Sequence, residues 1–253
     1  MQALKLPAIA GLIWVSAGFR LMFKQFLRLF SVVIVYFFAF LLVMALAVIL
    51  GDRMASIGID ANWVQRIVMF IAGIFSPTLS IGFMEACRSI TLGERVSPTY
   101  FLRGFQVKRP ALLALVGLGL FQMVALSLVT AVLPKSPDMS LDDLLKAATA
   151  PNPPIDTSST LLQVIVLIPL MLITAALWYA PMLIAWQDMK PAKAMFFSLV
   201  ACWRNKLAFL MFAAGWFMVS IFLAMLTTVL YSALGSSNVT ETLLAMILMV
   251  TFG

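Results

Sequence analysis

The chain has 253 residues, 63% of them hydrophobic and 11% charged, and carries a formal net charge of +7. Soluble domains run about 45–50% apolar and ~25% charged, so this composition excludes one and points to a polytopic membrane protein. The absence of histidine and the presence of only two cysteines, Cys87 and Cys202, exclude bis-histidine haem, histidine- or thiolate-ligated zinc, iron–sulfur clusters and histidine-activated nucleophiles; no cofactor or metal is expected.

Residues 1–28 are basic and amphipathic. Ser16, Arg20, Lys24 and Arg28 recur every four residues and form one stripe of a helix, while Leu12, Val15, Phe19, Met22, Phe23 and Phe26 cover the rest. That pattern suits a helix lying in the membrane plane, its aromatic side at the acyl boundary and its cations at lipid phosphates. The first apolar run, 29–50, exceeds the 7–15 residues of a signal peptide, so Ala45-Leu46-Ala47 reads as part of an uncleaved span. The second run, 64–87, contains Pro77 and a small-residue stripe, Ala72, Ser76 and Ser80, of the kind that lets helices approach closely. It ends with Glu85 one helical turn before Arg88, which predicts a local ion pair and marks both as candidate functional polar residues.

A second basic element follows, with Ser97-Pro98 as a helix start and Arg103, Lys108 and Arg109 beyond it; Pro110 then opens the third run, 110–133. The loop 134–160 holds five of the twelve prolines and a predicted short amphipathic helix at 141–149. The fourth run, 161–186, is interrupted by Pro169 and Pro181, kinks that local packing can close. Lys190-Pro191 begins a third basic element, carrying Lys193 and Arg204, before a fifth run at 207–232 and a largely apolar stretch of thirteen residues at 241–253 that begins a sixth. The fold class expected is therefore all-α, a polytopic bundle of about six transmembrane helices with amphipathic helices on one side, forming a single integral membrane domain over 1–253.

Segments 1–28, 85–109 and 187–206 hold 13 of the 17 basic residues against three acids, and the alternate segments hold four against seven. The split is +10 on one side and −3 on the other, which places the first group, and both termini, in the cytoplasm. There the two cysteines stay reduced and read as small buried hydrophobes. Gly18-Phe19-Arg20, Gly104-Phe105-Gln106 and Cys202-Trp203-Arg204 lie 86 and 98 residues apart, each just before an apolar span, and suggest three helix-plus-hairpin repeats at 11–96, 97–189 and 190–253. The basic residues Arg20, Lys24, Arg28, Arg103, Lys108, Arg109, Lys193 and Arg204 read as a membrane-surface set facing anionic lipid, not nucleic acid.

Trp14, Gly18-Phe19-Arg20, the run from Pro77 to Arg88, Gly93-Glu94, Pro98 and Gly104-Phe105 resemble an uncharacterised proteobacterial family of polytopic inner-membrane proteins first named from a Burkholderia locus. The resemblance implies a Gram-negative inner membrane and brings no activity, substrate or catalytic residue. Near mid-membrane the chain offers Gln122, Gln163 and Thr174 but no acid, arginine or histidine, and no nucleophile–base pair. These readings favour a non-catalytic membrane scaffold or accessory subunit that binds lipids and other integral membrane proteins. The alternative is a transporter or lipid-handling protein for an apolar or amphipathic solute moving along the kinked second and fourth spans, which a polar-lined cavity open to one side would support.

The charge split makes a topological prediction. In intact cells an impermeant thiol reagent labels a reporter cysteine at Ser140 and leaves one at Gly93 untouched; labelling at Gly93 from outside overturns the six-span arrangement.

Overall fold

The computed structural model describes residues 4–132 and 157–234, and every regular element among them is helical. In chain order these are α1 (Ala10–Lys24), α2 (Phe26–Ala55), α3 (Ala61–Ile74), α4 (Ser76–Thr91), a 3-10 helix (Pro98–Gln106), α5 (Arg109–Val132), α6 (Thr157–Trp178), α7 (Ala180–Gln187), α8 (Pro191–Arg204) and α9 (Lys206–Leu234). Four stretches are long and apolar enough to cross a membrane: Phe26–Ala55, Arg109–Ala131, Leu167–Gln187 and Lys206–Leu226. The pair α3–α4, bent by 44° at Phe75, makes a fifth if it crosses as one span. At most 17% of any of the four windows is buried inside the protein, so another apolar phase has to cover the remainder. The all-helical membrane architecture is as expected, with four or five of the six expected crossings among the described residues. The predicted sixth span at 241–253 and the helix at 141–149 lie outside them.

The prolines divide into two kinds. Pro77 and Pro181 each follow a break, at Phe75 and Tyr179, and sit in the first turn of the next helix, where a missing N–H leaves no gap. Pro169 lies inside α6 and does not interrupt it, contrary to expectation. The break at Phe75 also divides the small-residue stripe, leaving Ala72 on α3 and Ser76 and Ser80 on α4.

The chain packs as two compact units, residues 1–24 with 201–253 and residues 25–200. In the first, α1 lies lengthwise along the first half of α9. A Cβ at Gly11 would collide with the Ala208 carbonyl, Trp14 meets Phe209 and Phe212 edge-on at 5.5 and 6.4 Å, and Phe19 stacks on Trp216 at 6.3 Å. Part of the aromatic face expected to enter lipid is therefore covered by protein. Asn205, buried at the α8–α9 junction, fastens the chain before α1: its Oδ1 accepts from the Leu6 N–H at 2.8 Å, and its Nδ2 donates to Leu4 O and Ala201 O, both at 3.0 Å.

In the second unit α4, α5, α7 and α8 share one core built on Ile81, Leu115, Leu118, Ala180, Ile184 and Ala194. The 3-10 helix lies against α4 through two glycines. Gly104 rests on the Thr78 carbonyl, and Gly82 lies under the carbonyls of Tyr100 and Phe101; a Cβ at either would strike backbone. The amphipathic helix expected from Ser97-Pro98 starts there, wound as a 3-10 helix, and Ser97 gives no side-chain cap, its Oγ meeting Thr99 Oγ1 at 2.6 Å. After α4, Gly93 takes φ +81° and the chain closes a Schellman turn, with Gly93 N–H on Ile90 O and Glu94 N–H on Ser89 O. This accounts for the Gly93-Glu94 motif.

The α6–α7 break is held open by a neighbour. The Ser198 hydroxyl of α8, fully buried, accepts from the Tyr179 N–H at 2.9 Å and donates to the Ala175 carbonyl at 2.7 Å. It is inserted into the i→i−4 rung that an unbroken helix would form directly, a recognised cause of helix kinks. Ser198→Ala strands a buried donor and acceptor and is expected to cost about 1–3 kcal/mol. Denaturant titration in mixed micelles checks this, and a loss well under that range would show that the rung re-forms on its own.

Candidate functional site

The two breaks face a common cleft. It has a volume of about 340 Å³, is open rather than enclosed, and lies between α4, α5, α6 and α7. Ser76, Ser80, Gln122, Thr174 and the Trp178 indole supply its polar groups, and the remaining lining, including Leu118 and Leu177, is apolar or proline. No lining residue is charged. Ser76 Oγ reaches Gln122 Oε1 at 3.5 Å, a long contact. Ser80 Oγ donates to Pro77 O and Thr174 Oγ1 donates to Leu170 O, both at 2.8 Å, so each hydroxyl spends its proton on its own helix. The kinked second and fourth spans are thus not closed by packing alone.

The sequence pointed to Gln122 and Thr174 as mid-membrane polar residues, and the structure brings them into one site. Ser76 and Ser80 were visible only as small residues, and the break that turns them toward Gln122 is a tertiary feature. Of Gln163, on α6, the backbone alone is described.

One end of the same helix pair carries the two candidate polar residues. Arg88 lies 3.6 Å from Glu85 Oε1, the expected ion pair one turn apart. The same oxygen accepts from the Trp186 indole N–H at 2.5 Å, and the Arg88 guanidinium sits over the Trp186 ring at 5.3 Å. This closed triad ties α4 to α7 across 101 residues of chain. Trp186 was missed because an aromatic residue at a span end reads as an interfacial anchor, with no local sign of a distant acid. Beside it, Lys108 Nζ meets Asp188 Oδ2 at 2.7 Å, but both side chains are mostly exposed, and such pairs contribute little.

The basic set stays at the surface. Arg20, Lys24, Arg28, Arg103, Lys108, Arg109, Lys193 and Arg204 are all exposed. Arg103 lies over the Tyr100 ring at 4.8 Å and Lys193 over Phe197 at 5.9 Å, while Arg28 donates to Gln25 Oε1 at 3.3 Å. They are distributed along the elements that begin each apolar stretch and do not converge on the cleft.

The chain is 29% identical over 242 residues to a probable inner membrane protein of Burkholderia thailandensis, an alignment covering 94% of this chain and 83% of that relative. The resemblance read in the motifs from Pro77 to Arg88 is borne out. No family model and no solved structure matches. Apolar helices and this relative agree on an integral membrane protein, with the inner membrane as its setting.

The Glu85–Trp186 bond can be measured. Hydrogen bonds to a charged group are worth about 1.5–3 kcal/mol, and partial exposure of Glu85 lowers this toward about 1 kcal/mol. A double-mutant cycle of Glu85→Ala and Trp186→Phe, followed by thermal unfolding in detergent, is expected to show coupling of that size. Additive effects would mean that the two helices are held by the core alone.

Proposed function

We propose that the protein is a non-catalytic inner-membrane lipid-handling protein that takes an amphipathic molecule into the cleft between its two broken spans. The cleft carries this reading. It sits where helix continuity is given up twice, it is open rather than enclosed, and Ser76, Ser80, Gln122 and Thr174 meet in a mainly apolar wall. Pockets of about 300–1,000 Å³ with few polar groups are typical of small-molecule sites. Broken helices beside such sites are a recurrent device of membrane transport proteins. The lining offers no nucleophile–base pair and no carboxylate dyad, which favours binding over catalysis.

In this reading six spans and a cytoplasmic N-terminus follow from the charge split. The three basic elements hold the protein at the anionic leaflet through Arg20, Lys24, Arg28, Arg103, Lys108, Arg109, Lys193 and Arg204, each cation near such a surface being worth about 1 kcal/mol. The three-unit repeat is supported by the order of elements: a basic element, a long helix and a broken span occur twice, and a basic element with a long helix once more. A scaffold or accessory subunit is the second reading. It is favoured by α9, whose Leu210, Phe217, Met218, Phe222 and Met225 form an exposed aromatic and methionine-rich surface suited to an adaptable partner contact.

Native mass spectrometry after gentle extraction separates the two. Lipid is expected to be retained by the wild type and reduced about tenfold by Ser80→Phe, which fills the cleft. Equal retention by both, with partner chains copurifying, would replace the lipid-handling reading with the scaffold.

A further inference from the structure

The cleft's hydrogen-bonding inventory is specific enough to select a ligand class. The Ser80 and Thr174 hydroxyls have given their protons to Pro77 O and Leu170 O. What each still presents is oxygen lone pairs, so both are acceptors toward anything in the cleft. Gln122 is the opposite case. Its Oε1 takes the long Ser76 contact, and its amide nitrogen makes no hydrogen bond among the described residues. As placed, the amide accepts from Ser76, so the end it leaves unspent in the cleft wall is the donor end. Ser80, Thr174 and Gln122 thus offer two acceptors and a donor with no formal charge. The nearby charges, Glu85 and Arg88, are already engaged with each other and with Trp186.

A complementary ligand carries a hydroxyl to donate to Ser80 or Thr174, a carbonyl to accept from Gln122, and an apolar chain for Leu118 and Leu177. A phosphate fits this poorly. It would find a donor in Gln122 but lone pairs at Ser80 and Thr174 where it needs further donors, and it would bring charge into a wall without a cation to pair with it. We infer that the cleft binds an uncharged hydroxy-ester amphiphile of the acylglycerol class and discriminates against its phosphorylated counterpart. This rests on the amphiphile-binding reading of the same cleft and narrows it to one chemistry.

The test uses the full chain in nanodiscs of zwitterionic lipid and a monoacylglycerol with a diazirine in its acyl chain. Photo-adducts are expected on α5 around Gln122 and on α6 around Thr174. Monooleoylglycerol should displace the probe, and its phosphate monoester should need roughly a hundredfold higher concentration, as one buried unpaired charge warrants. Gln122→Leu should weaken competition by monooleoylglycerol about tenfold. Thr174→Val, nearly isosteric, should weaken it less and answers the same question if Gln122→Leu does not fold. Equal competition by the phosphate ester, or competition unchanged in both variants, overturns the neutral-amphiphile assignment while leaving a lipid site in place. Absence of adducts on α5 and α6 overturns the cleft as a binding site and the reading beneath it.

Discussion

A hydrocarbon solvent cannot hydrogen-bond a backbone, so a helix can break inside a membrane only if protein supplies the partners that water would supply elsewhere. The Ser198 hydroxyl does this at the α6–α7 break, linking Tyr179 N–H to Ala175 C=O from a site with no solvent access. The rest of the second unit depends on that insertion. It sets the turn that brings α7 back onto Ile81 and Leu115, and it spaces Thr174 from Pro181 so that both line one cleft. At the other break the solution is steric. Ile74 presses its carbonyl against Gly119 of α5, and Gly73 receives the Met123 side chain, so the broken end is closed by contact with a backbone that has no Cβ in the way.

The interlocking of α4 with the 3-10 helix follows the same logic. Tyr36 of α2 donates its hydroxyl to the Leu79 carbonyl and packs edge-on against Phe101 at 4.7 Å, clamping the 3-10 helix over Gly82. Tyr100 donates to Ser89 Oγ at 3.1 Å, Ser89 donates to Glu94 at 2.7 Å, and the Glu94 carbonyl accepts from Gln25 at 2.8 Å. The donors Tyr100 and Ser89, both buried, run in series onto the Glu94 carboxylate, and Gln25 fastens the Glu94 backbone; satisfying each buried hydroxyl in this way is the condition for such a network to favour a single packing arrangement.

The crossings were legible in the sequence because hydrocarbon imposes one coarse requirement, about twenty apolar residues per helix, and the runs at 29–50, 110–133 and 207–232 meet it within a few residues of α2, α5 and α9. Pro77 and Pro181 marked the breaks correctly because proline acts locally. Pro169 did not, since the same residue inside a helix can be tolerated when packing and its own turn absorb the lost bond. The cleft was legible only in part. Gln122 and Thr174 stood out as polar residues in apolar runs, but their pairing with Ser76 and Ser80 depends on how two helices bend. Ser198 and Asn205 were invisible for a related reason: a serine or asparagine near a basic segment has many bland roles, and only the three-dimensional neighbour reveals the one it plays.

The basic elements connect these two levels. Each was expected to lie on lipid, yet the described ones also have protein beneath them: α1 along α9, the 3-10 helix on α4, and α8 against the α6–α7 break through Ser198. In the proposed reading, a segment that rests on lipid headgroups by its cations and on a transmembrane helix by its small or polar residues couples the membrane surface to the helix it touches. For α8 that coupling is short. Lys193 lies five residues before Ser198, and Ser198 holds the break whose two sides carry Thr174 and Pro181 into the cleft. A shift of α8 at the surface would therefore move the hydroxyl that keeps the rung open, and with it the cleft wall.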